Sequence, residues 1–216
     1  PCIINGVEVY TDNVVEQVMP HNHSHVIARV HMAGENEVND AINASLQAHE
    51  TWSTMPWEAR AAIFLKASEL LRGEYRAKIN ASTMINQSKT CHQAEIDSAC
   101  ELIDFWRFNV QYAREIYEDL QPPVSPSSMW NSSEIRPLEG FVFSVTPFNF
   151  SSIAANLPSS AAIMGNTGVW KPSRNSYLSN YYLMRLMMDA GLPDGVINFI
   201  PGKASMVGDI CLSHPM

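Results

Sequence analysis

The stretch Gly140-Phe141-Val142-Phe143-Ser144-Val145-Thr146-Pro147-Phe148-Asn149-Phe150 decides how this chain is read. Residues 140–145 are apolar on both faces, the mark of a strand covered on both sides in a parallel sheet. Pro147 then fixes the backbone and brings no N–H to a ladder, so the strand stops there. A helix-compatible run follows over 151–164. Two more strand-then-helix units come after it, 167–171 with 176–190 and 196–200 with 204–212. Gly191 and Pro193 punctuate the middle helix at its end. Strand, helix, strand, helix, strand, helix is the order of an α/β fold with a parallel sheet.

Upstream the grammar differs. Residues 1–30 are irregular, with strand-like runs at 7–10 and 25–31. From Glu35 the apolar residues Val38, Ile42, Leu46 and Trp52 fall at helical spacing. Pro56 suits the first turn of a second helix over 57–72, and Gly73 stops it. A third helix is expected over 75–87. The longest periodic segment, 94–120, carries an apolar stripe through Ala99, Leu102, Ile103, Trp106, Val110, Ala113, Ile116, Tyr117 and Leu120. Its opposite face, with Glu101, Asp104, Arg107, Arg114 and Glu118, reads as solvated. Residues 121–128 read as a Pro/Ser linker, and 129–136 as a half-exposed strand. The organisation expected is therefore residues 1–121 as strands and helices packed on a cofactor domain, 122–139 as linker and strand, and 140–216 as the first half of that domain.

Composition narrows the function. The 216 residues carry 14 Lys and Arg against 22 Asp and Glu, a net charge of −8, which argues against a nucleic-acid partner. No uninterrupted apolar run is long enough to span a membrane as a helix. The four cysteines form no CxxC pair and suit a reducing compartment. His21, His23 and His25 would share one face of an extended segment, but no carboxylate or cysteine stands near in sequence to complete a metal site, so none is expected. The chain starts at Pro1 and stops at Met216 without a tail-like composition, and both ends read as cut.

Ligands of open parallel sheets bind beyond the carboxyl ends of the strands. Two such ends are chemically unusual here. Asn149 would present an amide at the sheet mouth, where it could donate to an oxygen that becomes negative during acyl transfer; from spacing alone the cap of the next helix is the favoured reading, because Asn is common before helices. Lys171 closes an apolar strand and could bond the hydroxyls of a dinucleotide ribose, or simply snorkel to the surface. No GxGxxG and no P-loop occurs.

These two segments, with residues 164–173 (Met-Gly-Asn-Thr-Gly-Val-Trp-Lys-Pro-Ser) and 190–202 (Ala-Gly-Leu-Pro-Asp-Gly-Val-Ile-Asn-Phe-Ile-Pro-Gly), resemble the aldehyde dehydrogenase superfamily over essentially the whole chain. Residues 93–99, residues 101–109 and Phe148, where most relatives carry Trp, resemble its branch acting on L-glutamate gamma-semialdehyde. The resemblance implies an aldehyde-dehydrogenase-like α/β fold, with an amino-terminal helical layer and the first part of a Rossmann-like cofactor domain, truncated. It implies an aldehyde substrate, NAD as cofactor, a homo-oligomeric parent and a mitochondrial matrix location. By the same resemblance Asn149 matches the oxyanion-hole asparagine, Thr146 a hydroxyl touching the nicotinamide, Lys171 the lysine that holds the adenosine ribose, and Ser173 a further cofactor contact. Arg174 stands where NAD-preferring relatives often carry an acidic residue, which leaves NADP open because a guanidinium tolerates a ribose phosphate. The family's general-base glutamate and nucleophilic cysteine lie beyond Met216, and none of the four cysteines matches the nucleophile's motif. This segment alone is therefore expected to be inactive. The rival reading is a non-catalytic chain that docks onto full-length subunits.

Overall fold

Residues 1–122 and 124–216 are described in a computed structural model of the chain. Seven strands form a five-stranded sheet and a two-stranded hairpin. The large sheet has the order β2 (Val7–Val9), β1 (Cys2–Ile4), β7 (Ile197–Phe199), β6 (Gly168–Lys171), β5 (Val142–Val145). Strands β5, β6 and β7 run parallel, as the strand–helix alternation requires, while β1 is antiparallel to both β2 and β7. The hairpin pairs β3 (Val14–Met19) with β4 (Asn22–His31), and its register shifts at Val18.

Side chains alternate across the sheet, and this period of two divides the core. Ile3, Trp170, Ile197 and Phe199 face one apolar cluster, packed with α2 (Trp57–Arg72), α3 (Arg76–Gln87), α5 (Glu101–Arg114), α6 (Ser151–Ile163) and α7 (Tyr177–Ala190). Cys2, Ile4, Val169 and Ile200 face the other cluster, against α1 (Glu35–Trp52) and α8 (Ala204–Ser213). The result is a sheet between two helical layers. Buried indoles need a polar partner, and three large ones have it: Trp52 donates to the Ala162 carbonyl, Trp106 to Ser159 Oγ, and Trp170 to Thr146 Oγ1. Among the described residues no helix is long and apolar enough to cross a membrane, and no group of His, Cys, Asp or Glu is placed to hold a metal. All four cysteines are free.

The helices form close to where periodicity puts them. The long segment is less regular than its stripe suggests: α4 (Cys91–Ala94) passes through a π turn (Glu95–Cys100) into α5, and a second π turn spans Glu115–Asp119. An extra residue per turn rotates the stripe, so Ala99, Leu102, Ile103, Trp106 and Ala113 are buried while Leu120 is exposed. Glu101, expected on the solvated face, instead accepts a hydrogen bond from the buried Ser152 hydroxyl in the first turn of α6.

Two strand expectations change. The 140–145 strand is the sheet edge rather than a central strand, and its cover gives out at the end: Phe143 is half-buried and Ser144 buried, but Val145 is 57% exposed. Residues 129–136 form no strand, because no described segment pairs with them, and a lone strand in water has no ladder to hold it. Trp130 there is open to solvent. Pro123, in the expected linker, lies outside the described residues.

The β5–β6 pairing depends on Gly168. A Cβ at this position would lie far inside contact distance of the Val142 carbonyl oxygen, a backbone atom that cannot move without breaking the ladder. Gly168→Ala is expected to destabilise the fold by about 1–3 kcal/mol, read as a lower denaturant midpoint with an unchanged m-value.

Candidate functional site

At the mouth of the sheet, Val145 stands opposite Lys171, and the Thr146 N–H donates to the Lys171 carbonyl at 3.2 Å. The ends of β5 and β6 are thus locked together, and everything leaving them starts from a fixed position. Thr146 is buried and its hydroxyl oxygen accepts the Trp170 indole N–H at 2.9 Å, which leaves the hydroxyl proton available.

Lys171 is only 8% exposed, and its ammonium has neither a carboxylate nor a hydrogen-bond acceptor among the described residues. Its stem is buried while the ammonium reaches solvent. Burial alone holds its pKa below the ordinary lysine value. A partly desolvated cation with three donors and no acceptor is suited to bind oxygen atoms brought by a ligand, such as sugar hydroxyls. The residues present therefore fit a dinucleotide ribose at this place.

Asn149 lies in the turn between β5 and α6. It is exposed, and it does not cap the helix: the residue at the N-cap is Phe150, which makes no side-chain cap bond. No described residue bonds the Asn149 amide. It lines a cleft of about 420 Å³ together with Phe148, Val18, Pro20 and His23 from the β3–β4 hairpin, and Asn86, Gln87 and Lys89 at the end of α3. An unbonded amide aimed into an open cleft is a free hydrogen-bond donor.

Ser173 and Arg174 follow Lys171 along the chain. Ser173 precedes the single 3-10 turn Arg174–Ser176, and its carbonyl accepts from the Ser176 N–H, while its side chain makes no cap bond. Arg174 is exposed at the start of that turn, with its carbonyl bound by Gln17 Nε2 at 2.7 Å. Lys171, Thr146 and Ser173 thus gather around the ends of β5 and β6, with Asn149 one turn further on.

Three site neighbours escape a reading of the sequence. Asn86, buried at 1% exposure, accepts from the N–H groups of Leu178 and Ser179 through Oδ1, capping α7 from α3, while its Nδ2 has no partner. Gln87 bonds the Asn149 turn from both sides, as described below. Lys89 pairs with Asp97 and places its ammonium 4.2 Å from the Phe150 ring centre. No local signal marks Gln87, because its partners Phe148 and Ser151 lie far along the chain.

No cysteine lines this cleft. Cys2 and Cys211 are buried, and desolvation pushes their thiols up to about 12 and about 11. Both are packed apolar fillers rather than nucleophiles.

Residues 8–216 match the model of the aldehyde dehydrogenase family. The chain belongs to the aldehyde dehydrogenase family. It is 51% identical over 207 residues to a delta-1-pyrroline-5-carboxylate dehydrogenase of Agaricus bisporus, covering 96% of this chain and 38% of that protein. To the human mitochondrial delta-1-pyrroline-5-carboxylate dehydrogenase it is 45% identical over 213 residues, 99% of this chain and 38% of the relative. Its structure superposes with a TM-score of 0.97 and 46% identity on the NAD-bound delta-pyrroline-5-carboxylate dehydrogenase of Mycobacterium tuberculosis, over 100% of this chain and 40% of that one. This aldehyde dehydrogenase chain therefore spans about 38% of the length of the curated relatives it matches.

The isolated charge in this aldehyde dehydrogenase chain has a measurable signature. A lysine whose folded pKa lies below its unfolded one binds its proton better in the unfolded chain, so its ammonium destabilises the fold fully below the folded pKa. That cost fades as pH rises through the folded pKa towards the ordinary 10.5. Lys171→Met is expected to raise the thermal midpoint at neutral pH, with the gain over wild type shrinking as pH is raised. Scanning calorimetry across that range checks it.

Proposed function

We propose that this chain is the amino-terminal part of an NAD-dependent enzyme of the mitochondrial matrix that oxidises L-glutamate gamma-semialdehyde, the open form of pyrroline-5-carboxylate, to glutamate in proline degradation. The observation that carries the reading is the free Asn149 amide at the sheet mouth, one turn from a buried lysine that lacks an acceptor. The names of the relatives support the substrate class and the compartment, and the NAD-bound structural neighbour supports the cofactor.

In this reading the aldehyde carbonyl enters the cleft beside Asn149. Attack on the carbonyl carbon moves the π electrons onto its oxygen, and the Asn149 N–H stabilises the oxyanion as it forms. A donor already in place at that moment contributes more than one that must reorganise. The attacking sulfur and the base that activates water would come from outside these residues, since no cysteine borders the cleft. NAD, when bound, supplies the hydride acceptor. Lys171 would hold a ribose of that cofactor, with Thr146 and Ser173 at the same strand ends as further contacts. The exposed Arg174 has no acidic neighbour bonded to it, so it offers no obstacle to a ribose phosphate.

Substitution in the full-length enzyme separates the two roles. Asn149→Ala is expected to lower kcat by about 10²–10³ with little change in the KM for aldehyde or NAD. Lys171→Ala is expected to raise the KM for NAD with a smaller effect on kcat. Steady-state kinetics with both substrates varied gives the answer; wild-type kcat in Asn149→Ala rejects the oxyanion role.

A further inference from the structure

We propose that Gln87 is the positioning residue for Asn149, an inference that rests on the oxyanion role assigned to Asn149 above. One amide side chain grips the turn on both sides of Asn149. Gln87 Nε2 donates to the Phe148 carbonyl at 2.7 Å, and Gln87 Oε1 accepts the Ser151 hydroxyl at 3.0 Å. Ser151, fully buried, is also within 3.1 Å of Thr83 Oγ1, one turn earlier on α3. Between these two anchors, Phe150 lies under the Lys89 ammonium, which Asp97 holds in place.

The turn from Phe148 to Ser151 is thus held at every residue except Asn149. Packing does not do this work, because Phe148 is 57% exposed and leaves the start of the turn without apolar cover. Hydrogen bonds from α3 must therefore set its path. The left-handed backbone of Ser88 (φ 53°) turns the chain sharply after Gln87, so that Gln87 and Lys89 reach the same turn from one helix end. Ser88 is itself tied to the hairpin by a 2.7 Å bond between its hydroxyl and His21 Nδ1. Fixing the backbone on both sides of a donor while leaving the donor unbonded is what preorganisation requires: the amide is aimed without being consumed.

A double-mutant cycle in the full-length enzyme tests the inference. Gln87→Met keeps the length of the side chain and removes both hydrogen bonds; kcat is expected to fall about tenfold, with the KM for NAD unchanged, because small misplacements of a catalytic group carry penalties of this order. In the Asn149→Ala background the same substitution is expected to change kcat by less than twofold, since Gln87 has then nothing left to aim. Gln87→Glu supplies a second readout. Its carboxylate still accepts from Ser151 but opposes the Phe148 carbonyl, and protonation restores the donor, so its kcat relative to wild type should recover as pH falls.

An equal loss from Gln87→Met in both backgrounds overturns the positioning role while leaving that of Asn149 intact. Wild-type kcat in Asn149→Ala overturns both. Should Gln87→Met fail to fold, Ser151→Ala removes one arm of the grip and is expected to show a smaller fall with the same non-additivity; additivity there counts against the proposal equally.

Discussion

Val145 and Lys171 stand side by side at the carboxyl ends of two parallel strands because Gly168, at the far end of the same ladder, lets the Val142 carbonyl come closer than any side chain would permit. A parallel ladder has no hairpin to set its register. Register here comes from that close approach, from the Thr146 bond to the Lys171 carbonyl, and from the Trp170 indole bonded back to Thr146. A slip of one residue would turn Trp170 out of the core and Lys171 away from the mouth, since the side-chain period is two. The positions of Lys171 and of the turn that carries Asn149 both follow from this one pairing.

The site divides its tasks between rigid and free groups. The strand ends and α3 are held by many bonds, whereas the Asn149 amide and the Lys171 ammonium have none among the described residues. Partial desolvation of the Lys171 ammonium, which lowers its pKa, costs stability, and such local conflicts concentrate at sites that bind something. The same holds for Asn86, whose Nδ2 is buried without a partner beside the cleft.

Much of this was legible from residues alone, and the failures have physical causes. Helices α1, α2, α3 and α7 follow from spacing and from Gly73 and Gly191, because their signals are local. Asn149 and Lys171 stood out because an amide and a lysine at strand ends are conspicuous. What depended on distant partners was not visible. Apolar composition does not distinguish an edge strand from a central one, so β5 was taken as covered on both faces. The insertion of π turns rotated Glu101 onto Ser152, which a 3.6-residue period does not foresee. Strand β3, which lacks a strict apolar–polar alternation, shows its role only once β4 lies against it. Gln87 meets its partners across 61 and 64 residues, and no local pattern carries that information.

The place of β1 between β2 and β7 has a kinetic consequence. Ile3 pairs with Phe199, so β1 waits for a strand translated long after it before its second edge is closed. At ribosomal speeds of about 5–20 residues per second, that delay is on the order of 10–40 s. During it the apolar Cys2-Ile3-Ile4 edge has only β2 beside it. Long-range closure of this kind slows folding and leaves a sticky surface open, which makes the waiting β1 edge a place for a chaperone to act during synthesis.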